Sequence, residues 1–102
     1  MNQEQILYLS IGNQLPEAVE SQLFGKPCFK VNGKAFICLF HNEMVFKLPD
    51  EARKEALSLD GAQLFDPSGK GRPMKEWVQV PFHYQDKWQR FAKEALAFVA
   101  AG

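Results

Sequence analysis

The sequence predicts an α+β fold, a two-layer α/β sandwich in which helices pack on a five-stranded antiparallel sheet in the order α-β-β-β-α-β-β-α. Three observations predict it. Asn32-Gly33 stands between two apolar runs, the combination that a two-residue hairpin turn favours. Tyr84, Trp88, Phe91, Ala95, Phe98 and Val99 recur at three- and four-residue spacing, which marks an amphipathic helix. Short apolar runs joined by turn residues imply strands that pair antiparallel with their neighbours in sequence.

The first helix is read from Ile6, Leu7, Leu9 and Ile11 among polar residues over 3–13. Pro16-Glu17 then reopens a helical pattern with Val19 and Leu23, giving one helix interrupted near Gly12-Asn13. Phe24-Gly25-Lys26-Pro27 ends it, because Pro27 disfavours helix in the residue before it and lacks a backbone donor. The sheet starts there with Phe29-Lys30-Val31, turns at Asn32-Gly33 and returns through 35–40. A second turn at His41-Asn42 leads into 44–48 and completes a three-stranded meander.

Pro49-Asp50-Glu51 opens a short helix with its acidic residues at the positive end, Ala52, Ala56 and Leu57 facing inward, and Asp60-Gly61 stopping it. Strands follow over 63–65 and 76–80, separated by a glycine-containing basic loop, and Pro81 precedes the final helix.

At 102 residues, 46% of them hydrophobic, the chain fits one domain spanning 1–102. Nine phenylalanines supply enough apolar bulk for a core without disulfides or a structural metal. Twelve basic residues balance twelve acidic ones, so no overall field draws the chain to nucleic acid or to an anionic membrane. No apolar run approaches the roughly 18 residues of a membrane span, and the start lacks the regions of a signal peptide. The cytoplasm is the expected location.

The meander has two apolar sides. With two-residue turns at both ends, Phe29, Val31, Phe36, Cys38, Phe40 and Val45 share one side, and Ile37, Leu39, Met44 and Phe46 share the other. Either helices wrap both sides, or the second turn has another length, or the face of Ile37, Leu39, Met44 and Phe46 stays uncovered and pairs with a second copy of the chain. The same register sets Cys28 opposite Ile37 and points Cys38 to the other side, so the expectation is two separate buried thiols.

Catalytic chemistry finds no foothold in the sequence. His41 sits in a turn and His83 before the last helix, neither at metal-ligand spacing from a cysteine. No nucleophile motif or carboxylate pair is recognisable. No metal or cofactor is expected. The segment from Ser68 to Lys75 carries two glycines and the cations Lys70, Arg72 and Lys75, which reads as a solvated connecting loop or, alternatively, as a site of anion or nucleic-acid contact. It departs from a nucleotide-binding P-loop, because Arg72-Pro73 and a strand follow where Ser/Thr and a helix are required.

Phe24-Gly25, Val31-Asn32-Gly33-Lys34-Ala35-Phe36, Phe46-Lys47, and above all Gly71-Arg72-Pro73-Met74 with Trp77 and Val80-Pro81, resemble the N-terminal domain of TfoX/Sxy proteins over roughly 6–100. Related YjbR-like domains share the phenylalanine-glycine step and the glycine-lysine hairpin. The chain departs from the TfoX pattern at Lys26, where a second glycine is common, and in lacking the C-terminal domain of full-length regulators. The resemblance implies a compact α+β fold and a link to transcriptional regulation of DNA uptake, and it supplies no catalytic residue. The expected function is therefore a non-enzymatic interaction or regulatory module acting on a protein partner or on itself. The alternative is direct DNA binding by Lys70, Arg72 and Lys75, supported by Lys87, Arg90 and Lys93 on the last helix. A third class, a ligand or redox site using Cys28 or Cys38, is the least supported, because no base can be placed beside either thiol.

Overall fold

Helix α1 (Gln3–Gln14) begins at a capping box, in which the Asn2 side chain accepts from the Gln5 amide and the Gln5 side chain accepts from the Asn2 amide. The computed structural model describes residues 1–102. Gly12 lies inside α1 rather than interrupting it. A Cβ there would come within 2.1–2.5 Å of the Phe29 ring, so the glycine lets the helix settle onto the sheet.

The stretch read as a second helical segment is instead a strand, β1 (Val19–Leu23), and the sheet has six strands, not five. Val19 and Leu23 share a face at a spacing of four in either geometry, so that spacing could not separate helix from strand. Glu17, at φ 64°, breaks the helical path before the strand begins. Strands β2 (Lys26–Val31), β3 (Lys34–Phe40) and β4 (Glu43–Lys47) continue as consecutive hairpins. Helix α2 (Asp50–Leu57), strands β5 (Gln63–Phe65) and β6 (Met74–Val80), a 3-10 turn over Phe82–Tyr84 and helix α3 (Gln85–Ala101) complete the chain. The strand order is β1-β2-β3-β4-β6-β5, antiparallel throughout. No helix is long and apolar enough to cross a membrane.

Three two-residue turns build the hairpins. Phe24-Gly25, Asn32-Gly33 and His41-Asn42 all have positive φ at both positions, the left-handed pair of a type I′ turn. Val31 faces Lys34 as expected, but a bulge then sets Phe29 opposite Ile37 and Lys30 opposite Ala35, leaving Phe36 unpaired. Phe36 and Ile37 consequently both enter the same core, and Cys28 faces Cys38, not Ile37. The expected placement of the two thiols on opposite sides is thereby reversed.

Residues of all three helices join Phe29, Val31, Phe36, Ile37, Leu39, Met44, Phe46, Val78 and Val80 in the larger core. Ile37, Leu39, Met44 and Phe46, the face that one of the three alternatives left uncovered for a second copy, lie under the helices. The helix-free face carries a second cluster made of strand residues alone: Cys28, Cys38, Val45, Phe65 and Trp77. In α2, Ala52 and Ala56 are buried while Leu57 is 37% exposed, so the inward set expected there is smaller by one.

Candidate functional site

The sheet has two free edges, the three-residue β5 and the longer β1. Strand β1 pairs with β2 on one side only, and its register brackets the Phe24-Gly25 turn with Leu23 opposite Lys26. A two-residue turn makes that flanking pair a hydrogen-bonded one. Alternation then directs the amides and carbonyls of Glu20 and Gln22 outward from the sheet. Sheet edges are commonly guarded by lysine, proline or a bulge. Val19-Glu20-Ser21-Gln22-Leu23 has no lysine or proline and a regular register, and Glu20 is its one charge.

The two ends of the strand add to this. Val19 is 64% exposed and Phe24 58%, and Phe24 holds φ 54°, a conformation that glycine, asparagine or aspartate adopts far more readily. A large aromatic side chain is thus presented to solvent on a strained backbone, a combination that folding alone does not favour. The sequence reading missed Val19 because it assigned β1 to a helix. The available signal was Phe24-Gly25, a residue-glycine pair at a strand boundary like Asn32-Gly33.

The basic loop is organised differently from its composition. The Asp66 carboxylate accepts from the amides of Ser68, Gly69, Gly71 and Arg72 at 2.9–3.2 Å and from the Ser68 hydroxyl at 2.7 Å. The hydrogen bond from Ser68, with those from the Gly71, Gly69 and Arg72 amides, holds the Asp66 carboxyl below its usual value. The backbone nest that would cradle a phosphate is therefore already occupied by an internal anion. Lys70 and Arg72 remain exposed in the loop and Lys75 is exposed in β6, so only side chains are left for anion contact. On α3, Arg90 pairs with Glu55 of α2 and, at 3.4 Å, with Glu94, while Lys93 is exposed. The basic residues of the loop and helix thus lose Arg90 to internal pairing.

The histidines lie apart. His41 stacks on Phe40 at 4.0 Å between ring centres, and His83 meets Tyr84 edge-on at 5.0 Å. Burial pushes both thiols up, Cys38 to about 12, and Lys30 and Ser21 partly offset the effect at Cys28. A cleft of about 140 Å³ is lined by Lys34, Lys47, Glu76, Phe98, Val99 and Gly102. A smaller one, about 80 Å³, exposes part of the wall formed by Tyr8, Leu9, Pro27 and Leu39. The buried Tyr8 hydroxyl has no hydrogen-bond partner, and burial raises its pKa.

No curated protein and no solved structure matches the chain. The YjbR family model matches residues 13–96, from the last two residues of α1 through all six strands into α3. That match spans both cores, the β1 edge and the Asp66 loop, and on it the chain belongs to the YjbR family.

Proposed function

We propose that this YjbR domain is a non-catalytic interaction module whose contact surface is the free edge of β1, and that the edge it engages is that of a second copy. The carrying observation is a regular edge strand with a single charge, Glu20, whose hairpin ends in an exposed, strained Phe24. The edge is chemically palindromic. Antiparallel pairing about a twofold axis at Ser21 sets Val19 against Leu23, Glu20 against Gln22 and Ser21 against itself. No like charges meet, and Glu20 and Gln22, whose backbone groups point outward, fall at the hydrogen-bonded positions. Continuing the register brings Phe24 beside Ala18, so the exposed ring gains an apolar neighbour. The regulatory role that the TfoX/Sxy resemblance implies would then be exercised in the cytoplasm through protein contact.

Sedimentation equilibrium tests this. A dimer is expected, dissociated by Ser21→Lys, which sets two ammonium groups face to face on the axis, with circular dichroism unchanged. A monomer at high concentration, or a dimer indifferent to Ser21→Lys, rejects the edge. Titration with duplex DNA at low salt is expected to give no binding. Binding that is lost in the Lys70/Arg72/Lys75 triple alanine variant would move the function to the Asp66 loop.

A further inference from the structure

Cys28 and Cys38 are direct cross-strand partners on the helix-free face, and both are free thiols. The kind of pair follows from the turns. Ser21 and Cys28 stand two steps from the Leu23–Lys26 pair that flanks the Phe24-Gly25 turn, so Cys28 directs its backbone hydrogen bonds to β1. Cys38 and Val45 stand two steps from the Phe40–Glu43 pair that flanks His41-Asn42, so Cys38 directs its own to β4. Between β2 and β3 the two cysteines therefore form a non-hydrogen-bonded pair. Such a pair brings Cα atoms to about 4.5 Å with side chains on one face, inside the range a disulfide spans.

We infer that Cys28 and Cys38 are a disulfide-forming pair, oxidised by hydrogen peroxide within the folded domain. Peroxide is the fitting oxidant because it is scarcely larger than water. A bulky disulfide reagent would have to part the strands over residues that are 1% exposed. Burial holds both thiols protonated, but Lys30 and Ser21 partly offset it at Cys28 while Cys38 is pushed up to about 12, so Cys28 is the sulfur that reacts first. The Cys28 sulfur attacks one peroxide oxygen, the O–O bond breaks, and the departing hydroxide takes up a proton to leave as water. This gives a sulfenic acid. The Cys38 sulfur then attacks the Cys28 sulfur, the S–O bond breaks, and that hydroxide leaves as water with the Cys38 proton. Two thiols and one peroxide become one disulfide and two waters. Burial makes the reaction slow, and it also denies the reduced pair the stabilised thiolate that makes some disulfides easily reduced. The product is a clasp across β2 and β3 that persists once formed.

The test uses the whole protein, treated with excess peroxide for hours, then denatured, alkylated with N-ethylmaleimide and weighed intact. The expected result is loss of two hydrogens and of both alkylation sites, with dithiothreitol restoring both. Cys28→Ser and Cys38→Ser should each abolish that loss. Retention of both alkylation sites, oxygen gain without hydrogen loss, or a chain-to-chain disulfide would overturn the inference. The reaction is also followed in sub-denaturing urea. A rate unchanged by urea supports oxidation of the folded pair, and a rate that climbs as stability falls assigns it to the unfolded chain and defeats the proposal.

Discussion

One sheet presents two buried faces made by different means. On the helix-covered face Phe46 lies 5.7 Å from Phe91, Phe29 lies 5.3 Å from Tyr8, and Trp88 is fully buried beneath Phe82. On the other face no helix contributes. Phe40 of β3 meets Phe65 of β5 at 5.2 Å across the two intervening strands, Phe65 meets Trp77 at 6.4 Å, and the Lys26 ammonium stands 5.1 Å from the Phe40 ring. Val45 is fully buried on this face, and Gln79 beside it keeps a 2.7 Å hydrogen bond to Glu43. Burial therefore does not require a second layer: large rings and long amphipathic side chains can exclude water from the middle of a sheet. Where that cover stops, at β1, exposed Val19 and Phe24 begin.

The sharpest test compares truncations on the two faces by urea denaturation. Phe46→Ala should cost about 3–5 kcal/mol, because the layers around it are fixed by three helices. Phe65→Ala should cost about 3 kcal/mol, since β5 is three residues long and can move into the space. Equal losses would mean the helix-free face is packed as rigidly as the other.

Gly12→Ala tests how closely α1 sits. Such a change inside a helix usually stabilises, yet here the new methyl meets a fully buried Phe29 ring, so a loss of about 1–3 kcal/mol is expected. Adding Phe29→Leu should recover part of that loss in a double-mutant cycle.

At the boundary of the two faces the sign reverses. Phe24→Asn should raise stability by about 1 kcal/mol, because asparagine accepts positive φ at far less strain, while dimerisation weakens. A protein that becomes both less stable and less dimeric would assign Phe24 to the fold instead of to contact.

The smallest effect belongs outside both cores. Arg90→Ala, which breaks the pair with Glu55 on the solvent side of the helices, should cost about 0.5 kcal/mol and less in high salt. The hydrogen bond from Arg90 holds the Glu55 carboxyl below its ordinary value. Its contribution is then complete above the ordinary glutamate range and is lost as pH falls through the depressed value, so the variant and the parent should converge only at pH below that depressed value. Divergence towards acid pH would contradict that assignment.

The sequence by itself determined the elements whose signals are local. Asn32-Gly33 specifies a left-handed turn through backbone preference, the Pro49 helix start needs only its own residues, and the last helix announces its apolar stripe by period. The basic loop was also legible as a loop, though not its filling by Asp66, because a carboxylate that folds back onto amides two to six residues ahead leaves no periodic trace. Tertiary structure decided the rest. Two apolar residues four apart fit helix and strand alike, and only pairing with β2 made Val19–Leu23 a strand and so created the edge proposed for contact. One bulge at Phe36 shifted the partner of Cys28 by a residue, and with a side-chain period of two that single step turned two separated thiols into a facing pair.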